Sequence, residues 1–343
     1  MTERCFSKKQ VVIIAEAGVN HNGDMKLARR LIAAAAAANV DAIKFQSFKA
    51  TSLMRVDAAK AEYQLKTTDQ GESQFEMLRR LELTEDAHYE LAELCRLLGV
   101  EFMSTPFDLD SARFLDRLGL KSFKVSSGDM TNVPLLRFLA GLGRQVIVST
   151  GMGEMGEVKA CVDIMLSAGL APEKIVLLHC TTSYPTTFGE VNLLAITALR
   201  EEFPDLAIGF SDHTPGIEAS LAAVALGAKV IEKHFTLDIN LPGPDHRASL
   251  DPPELFRLVA GIRRVEQALG DGCKRPLSAE KANMPVARKS IVAARDIAAG
   301  ELLSEDNLTT KRPGDGISPL LWDQVVGSRA VKAFKADENI ELK

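Results

Sequence analysis

Several things are scarce in this chain, and each scarcity excludes a class. Basic residues are not in excess: 41 Lys and Arg stand against 46 Asp and Glu, a net charge of -5, and no basic block interrupts the sequence. That balance argues against nucleic acid as a general partner, while leaving room for a locally positive pocket that takes an anion. Long apolar runs are also missing. The longest candidate, Ala33–Ala38 with its neighbours, is alanine in a helical pattern, so no membrane span is expected. Cysteine is sparse and irregular, at Cys5, Cys95, Cys161, Cys180 and Cys273; an odd count without a framework spacing points to a reducing compartment. Met1–Gln10 is polar and charged and lacks the apolar region of a secretory signal, so the expected location is the cytoplasm.

What is present is a regular alternation. With 343 residues, 46% of them hydrophobic, the chain is long enough for one large core and a smaller module. Strand-like runs recur at Val11–Gly18, Asp41–Ser47, Glu101–Phe107, Ser122–Asp129, Gln145–Met152, Lys174–Thr181, Ala207–Thr214 and Val230–Thr236. Helical patterns follow at Met25–Asn39, Glu85–Leu98, Asp110–Leu118, Val133–Leu142, Glu154–Ala168, Glu190–Phe203, Ile217–Leu226 and Pro253–Leu269. About eight βα units in this length suit a (β/α)8 TIM barrel over residues 1–270 better than an open doubly wound sheet. Beyond Leu269 the character changes. Residues 271–284 read as a polar linker, and 285–343, with short β-branched segments punctuated by Gly and Pro, as a small mostly-β domain.

Polar residues gather where the strands end: Glu16, Gln46, Thr105, Ser127, Ser149 and Tyr184 each follow a strand-like run. In a barrel these positions meet on the face that carries the active site, whereas taken singly each serves local turn chemistry equally well. The last two strands each stop at a histidine, His213 and His234. Side by side, two neutral imidazoles would leave coordination positions free on a divalent metal; each alone would simply cap its strand. Lys311-Arg312-Pro313-Gly314 in the small domain is a loop with adjacent cations, whose ordinary reading is a solvated face.

Taken together and in order, Ala15-Glu16-Ala17-Gly18-Val19-Asn20-His21-Asn22-Gly23, Lys44-Phe45-Gln46, Ser126-Ser127-Gly128-Asp129, Ser149-Thr150-Gly151-Met152, Ser211-Asp212-His213-Thr214, Glu232-Lys233-His234-Phe235-Thr236 and Lys311-Arg312-Pro313-Gly314 resemble the sialic acid synthases over essentially the whole chain. The small C-terminal module resembles an antifreeze-like (SAF, β-clip) domain. The resemblance implies condensation of phosphoenolpyruvate with an N-acylated mannosamine-type sugar, giving a nonulosonic acid and phosphate. It implies a divalent ion on His213 and His234, Mn2+ first with Mg2+ or Co2+ as alternatives. It also implies a domain-swapped homodimer in which Arg312 reaches the sugar. Its phosphoenolpyruvate contacts fall on Lys124, Ser127, Ser149, Tyr184 and Ser211, with Thr105 near them. Thr182 departs from the pattern at a position where the family can carry an amide.

The residues suit those roles. A phosphate and a carboxylate need a cation and several neutral donors, which Lys124 and its serine neighbours offer, with Lys44 as a second cation. Glu16, Glu232 and Asp245 are the carboxylates available to steer water or protonate an alkoxide. Glu16 and Asp245, assisted by Gln46, are expected to hold sugar hydroxyls, and Glu232 shares a face with His234. N-acetylmannosamine is the sugar expected first, and 2,4-diacetamido-2,4,6-trideoxymannose, the precursor of legionaminic acid, second. Two rival readings stand: a Schiff-base aldolase using Lys44, Lys124 or Lys233, and a carbohydrate-binding protein in which the C-terminal module does the work.

Overall fold

The structure, a computed structural model, describes residues 10–60, 68 and 71–342; Cys5, all of Met1–Gln10 but its last residue, and Lys343 lie outside the described residues. The chain divides into two compact units, Met1–Gly270 and Asp271–Lys343.

In the first unit eight parallel strands form the staves of a barrel: β1 (Val12–Gly18), β2 (Ala42–Ser47), β3 (Glu101–Pro106), β4 (Ser122–Val125), β5 (Gln145–Ser149), β6 (Ile175–Cys180), β7 (Ala207–Asp212) and β8 (Val230–His234). They are bonded in the order β3-β2-β1-β8-β7-β6-β5-β4, and β3 packs beside β4. The expected strands are therefore all present, and all but β1 and β2 are shorter at their carboxyl ends. Ser127–Asp129 is a 3-10 turn and Gly151–Met152 a tight turn, because the polar residues there bond locally instead of extending the ladder.

Strand parity builds two cores. One set of alternate residues, including Ile13, Ile43, Phe123, Val146, Leu177 and Ile231, packs outward against the helices. The other set, Val12, Ile14, Ala42, Met103, Ile147, Val176, Leu178 and Val230, fills the barrel's interior. The helices carry their own start and stop signals. Asp24, Thr84, Asp108 and Asn132 accept backbone N–H bonds at helix N-termini, Asp251 and Glu254 form a capping box, and Gly99 and Gly119 close two helices in the left-handed region. The helix Gln74–Leu81 has no counterpart among the expected elements. Its eight residues rest on a Ser73–Glu76 capping box and bury only Met77 and Leu81 against Val19 and Phe48.

The second unit has less regular β structure than its sequence suggests. Its two strands, β9 (Ser290–Ala293) and β10 (Leu308–Lys311), pair antiparallel, and single bridges such as Ile297 to Phe334 replace the other expected strands. Short helices at Ser278–Lys281 and Met284–Ala287 occupy the stretch read as linker. Arg312 stands exposed directly after β10, in a loop tied down by Ser290: its hydroxyl donates to the Pro313 carbonyl at 2.7 Å and accepts from the Gly316 N–H at 2.8 Å.

Gly209 shows how tightly the barrel interior is filled. A Cβ there would lie 2.4 Å from the Val230 carbonyl oxygen and 2.6 Å from Leu178 Cδ2. Backbone cannot retreat as a side chain can, so Gly209→Ala is expected to destabilise the protein by about 1–3 kcal/mol; the midpoint of chemical denaturation measures it.

Candidate active site

The parity that fills the lower barrel with aliphatic groups delivers charged ones a turn of pleat higher. Two residues on from Ile14 and Ala42, the inward positions are Glu16 and Lys44; two on from Val230 comes Glu232, and Lys124 joins from β4. All four are buried and alternate in sign. Lys44 Nζ sits 2.7 Å from Glu16 Oε2 and 3.6 Å from Glu232 Oε2, and Lys124 Nζ sits 3.8 Å from Glu232 Oε1. Hydroxyls complete the layer: Lys44 donates to Thr105 Oγ1 at 3.0 Å, Lys124 to Ser149 Oγ at 2.6 Å, and Ser211 to Glu232 Oε1 at 3.0 Å.

Burial opposes every charge here, and the neighbours decide which survives. Burial works to strip the proton from Lys44, but Glu16 and Glu232 outweigh it and raise its pKa above the usual lysine value. Glu232 likewise resists burial, because Lys124 and Lys44 hold its pKa below the ordinary glutamate range. For Glu16 burial wins over Lys44, with repulsion from Glu232 added, and its pKa is pushed up to about 7. Lys124 is lowered by burial despite Glu232. When Glu16 holds its proton, two lysines face one carboxylate, an excess suited to an anion.

A second group lies beside Glu16. At the bulge between β1 and β2 the register shifts between Glu16 and Gly18, and Gly18 takes a φ of +51°. A Cβ on Gly18 would lie 3.1 Å from Glu16 Oε1, 3.3 Å from Gln46 Nε2 and 3.6 Å from Asp245 Oδ2. The three expected sugar-binding side chains therefore converge on one small volume that only a glycine leaves open. Asp245 is held there by a network the sequence did not reveal. Asn20 Nδ2 donates to the Phe235 carbonyl and to Ser249 Oγ, both at 2.9 Å, and Ser249 donates to the Asp245 carbonyl at 2.7 Å. Burial pushes the Asp245 pKa up to about 6.

The two histidines complete the mouth. Their ring centroids are 5.3 Å apart, with Tyr184 4.2 Å from His213 and 5.7 Å from His234. Two imidazoles sharing one ion have centroids about 5 Å apart, from metal–nitrogen bonds of about 2.1 Å. The Thr181 carbonyl can only accept, so His213 Nδ1, 2.7 Å from it, carries the hydrogen and leaves Nε2 as a free lone pair. His234 Nδ1 is buried without a hydrogen-bond partner, its nearest charged neighbour being Asp245 Oδ2 at 3.9 Å. Burial and His213 hold its pKa well below that of free imidazole, so it is neutral. His213 differs: Cys180, the Thr181 carbonyl and Glu232 outweigh burial and raise its pKa, so a metal there competes with a proton. Among the described residues no group of three or more His, Cys, Asp or Glu could hold a metal. The protein offers two imidazoles, and water or substrate would supply the rest. The pair fits a labile catalytic ion rather than a closed structural one.

Ser127 and Thr182 close the other side. Ser127 Oγ accepts the Gly151 N–H at 3.0 Å, and a Cβ on Gly151 would strike Thr182 Oγ1 at 2.3 Å and Ser127 Oγ at 2.8 Å. Every barrel residue expected at the site thus falls within one connected set; Arg312 belongs to the second unit. Lys233 stands apart. It points away from the mouth, 2.9 Å from Asp212 Oδ2, which removes it as a Schiff-base candidate, and Lys44, held protonated, is no free amine.

Known proteins place this arrangement. A model described as the NeuB family matches residues 31–274. The chain belongs to the NeuB family. A model described as the SAF domain matches residues 288–342. An N,N'-diacetyllegionaminic acid synthase of Campylobacter jejuni is 51% identical over 332 residues, covering 97% of this chain and 99% of that protein. A second protein of that name, from Legionella pneumophila, is 47% identical over 92% of this chain and 89% of its own length. Among solved structures, an N-acetylneuraminic acid (sialic acid) synthetase of Leptospira borgpetersenii superposes with a TM-score of 0.70 at 35% identity, over 80% of this chain and 90% of that one. This NeuB-family chain has no helix among its described residues long and apolar enough to cross a membrane.

The Glu16 environment makes a pH prediction. Its folded pKa, about 7 against 4.5 for the ordinary carboxyl, means the folded state binds the proton more tightly. Stability is therefore lost as pH rises from about 4.5 to 7. Glu16→Gln mimics the protonated form, so its unfolding midpoint relative to the parent is expected to be higher at pH 8 than at pH 5.

Proposed function

We propose that this chain condenses phosphoenolpyruvate with 2,4-diacetamido-2,4,6-trideoxymannose to give a legionaminic-type nonulosonic acid and phosphate. The observation that carries the reaction is the buried quartet of Glu16, Lys44, Glu232 and Lys124 lying in one mouth with two facing imidazoles. The sequence alone favoured N-acetylmannosamine. Relatives named for N,N'-diacetyllegionaminic acid at 51% and 47% identity, against 35% for the sialic acid synthetase, support the diacetamido sugar instead.

The balance is simple. The methylene carbon of phosphoenolpyruvate bonds to the sugar's aldehyde carbon, the aldehyde oxygen takes a proton, water adds at the former enol carbon, and phosphate leaves with C–O cleavage. Lys124, with Ser127, Ser149 and Ser211, supplies a cation and neutral donors for the phosphate and carboxylate, and Lys44 with Thr105 adds a second cationic point. Tyr184 walls the histidines on one side. Glu16, Gln46 and Asp245 hold the sugar hydroxyls around Gly18. Because burial raises Glu16 to about 7, it keeps a proton on hand near neutrality for the oxygen that gains negative charge, while Asp245, raised to about 6, is mostly ionised there and accepts from sugar hydroxyls. Glu232, kept ionised, orients Lys44, Lys124 and Ser211. A divalent ion, Mn2+ before Mg2+ or Co2+, would be held by His213 and His234 and would polarise the sugar carbonyl as a Lewis acid. The enzyme works in the cytoplasm, where phosphoenolpyruvate is at hand. It works as a domain-swapped homodimer in which Arg312 of one subunit reaches the mouth of the other.

Phosphate release should show at least a tenfold higher kcat/KM for the diacetamido sugar than for N-acetylmannosamine; the reverse preference would return the assignment to a neuraminate synthase. His234→Ala and Arg312→Ala dimers are each expected to be inactive but folded. Mixed dimers of the two should regain activity, since one intact barrel then meets an intact Arg312. No recovery would place Arg312 in its own subunit.

A further inference from the structure

Parity puts the residue before each histidine on the opposite face of the sheet. Asp212 precedes His213, Lys233 precedes His234, and the two are register partners across β7 and β8. Both are fully buried, at 0% and 1% exposure, in the layer between strands and helices. Lys233 Nζ lies 2.9 Å from Asp212 Oδ2 and donates to the Thr214 carbonyl at 2.5 Å. Asp212 Oδ1 accepts from the Thr214 N–H at 2.8 Å and the Thr214 hydroxyl at 2.7 Å, and its Oδ2 from Ser220 at 2.6 Å. One lysine head therefore grips both ends of the Asp212-His213-Thr214 turn while its own strand carries the other histidine.

The surrounding layer is apolar, with Ile231, Phe235, Ala219 and Ala223 among its members. In such a setting a well-packed hydrophobic pair is commonly as stable as an ion pair or more so. Stability alone does not explain why charge is kept here. We propose that the Asp212–Lys233 pair is a positioning clamp: it fixes the turn angle of His213 and its separation from His234, so that the two rings meet one ion without rearrangement. Asp212 and Lys233 act through the histidines and touch no substrate. The inference rests on the reading of His213 and His234 as a metal pair.

The test uses the full-length protein with Asp212→Asn and Lys233→Met combined, which removes both charges and roughly keeps the volume. The unfolding midpoint should stay within about 5 °C of the parent. Mn2+ affinity, read by electron paramagnetic resonance of the free ion, should fall at least tenfold. In metal-free protein at a pH alkaline enough for His213 to be neutral, nitrogen NMR of labelled histidine should show its single Nδ1–H form giving way to a mixture. Unchanged Mn2+ affinity overturns the clamp. Should the parent bind no Mn2+, the metal reading fails by itself, and the NMR result then decides: an unchanged His213 form overturns the clamp. If the double variant does not fold, Asp212→Asn combined with Lys233→Gln, which also removes both charges but keeps a polar group on each side, gives the same readouts.

Discussion

Four charges buried at the neck of a barrel constrain everything above them. Each of Glu16, Lys44, Glu232 and Lys124 would be costly alone in that setting, and together they are tolerated because their signs alternate and three hydroxyls bond to the two lysines and to Glu232. The arrangement needs four strands held in fixed register, which the aliphatic layer beneath supplies. It also leaves unequal partners. Lys44 and Glu232 are shifted towards their charged forms, whereas burial raises Glu16 to about 7 and lowers Lys124 from the ordinary lysine value. In the proposed reaction that inequality would have a use: fixed cations would hold the anion, and a reluctant carboxylate would move the proton.

Much of this was legible in the residues because period-two alternation carries two messages at once. It says where a strand is and which face each side chain takes, so Glu232 and His234 could be placed together before any coordinates. The helices were legible for a similar reason, since Asp, Thr and Asn caps and closing glycines mark their ends. The failures share a cause. Gln74–Leu81 is a short helix burying two side chains, too short and too polar on average to stand out. The small domain's strands read as β because their residues are β-branched, yet only β9 and β10 form a ladder and the rest of its described pairing is single bridges, which local composition cannot distinguish from ladders.

Long-range contacts were illegible in another way. That Asn20 would reach Ser249, some two hundred residues on, and that Lys233 would turn outward to Asp212, depends on which strands become neighbours. Nothing in the local sequence shows what the glycines at 18 and 151 make room for. Only in three dimensions do they become the places where backbone makes room for ligand-facing groups, with a methyl at either colliding with or crowding the very side chains expected to bind.

The seam between β3 and β4 has a further meaning. The bonded order of strands begins at one and ends at the other, and their bases are joined by a side chain, Ser122 Oγ donating to Glu101 Oε1 at 3.0 Å. Higher up, Thr105 and Lys124 face this gap, and each bonds to the stave on its far side, Lys44 and Ser149. A cylinder laced all round resists any change of girth, but one with a single unlaced joint, pinned at the foot, can widen or narrow at its rim. The joint without a ladder therefore falls between Lys44 and Thr105 on one side and Lys124 and Ser149 on the other, so a change of girth there would alter the spacing of the two lysines first.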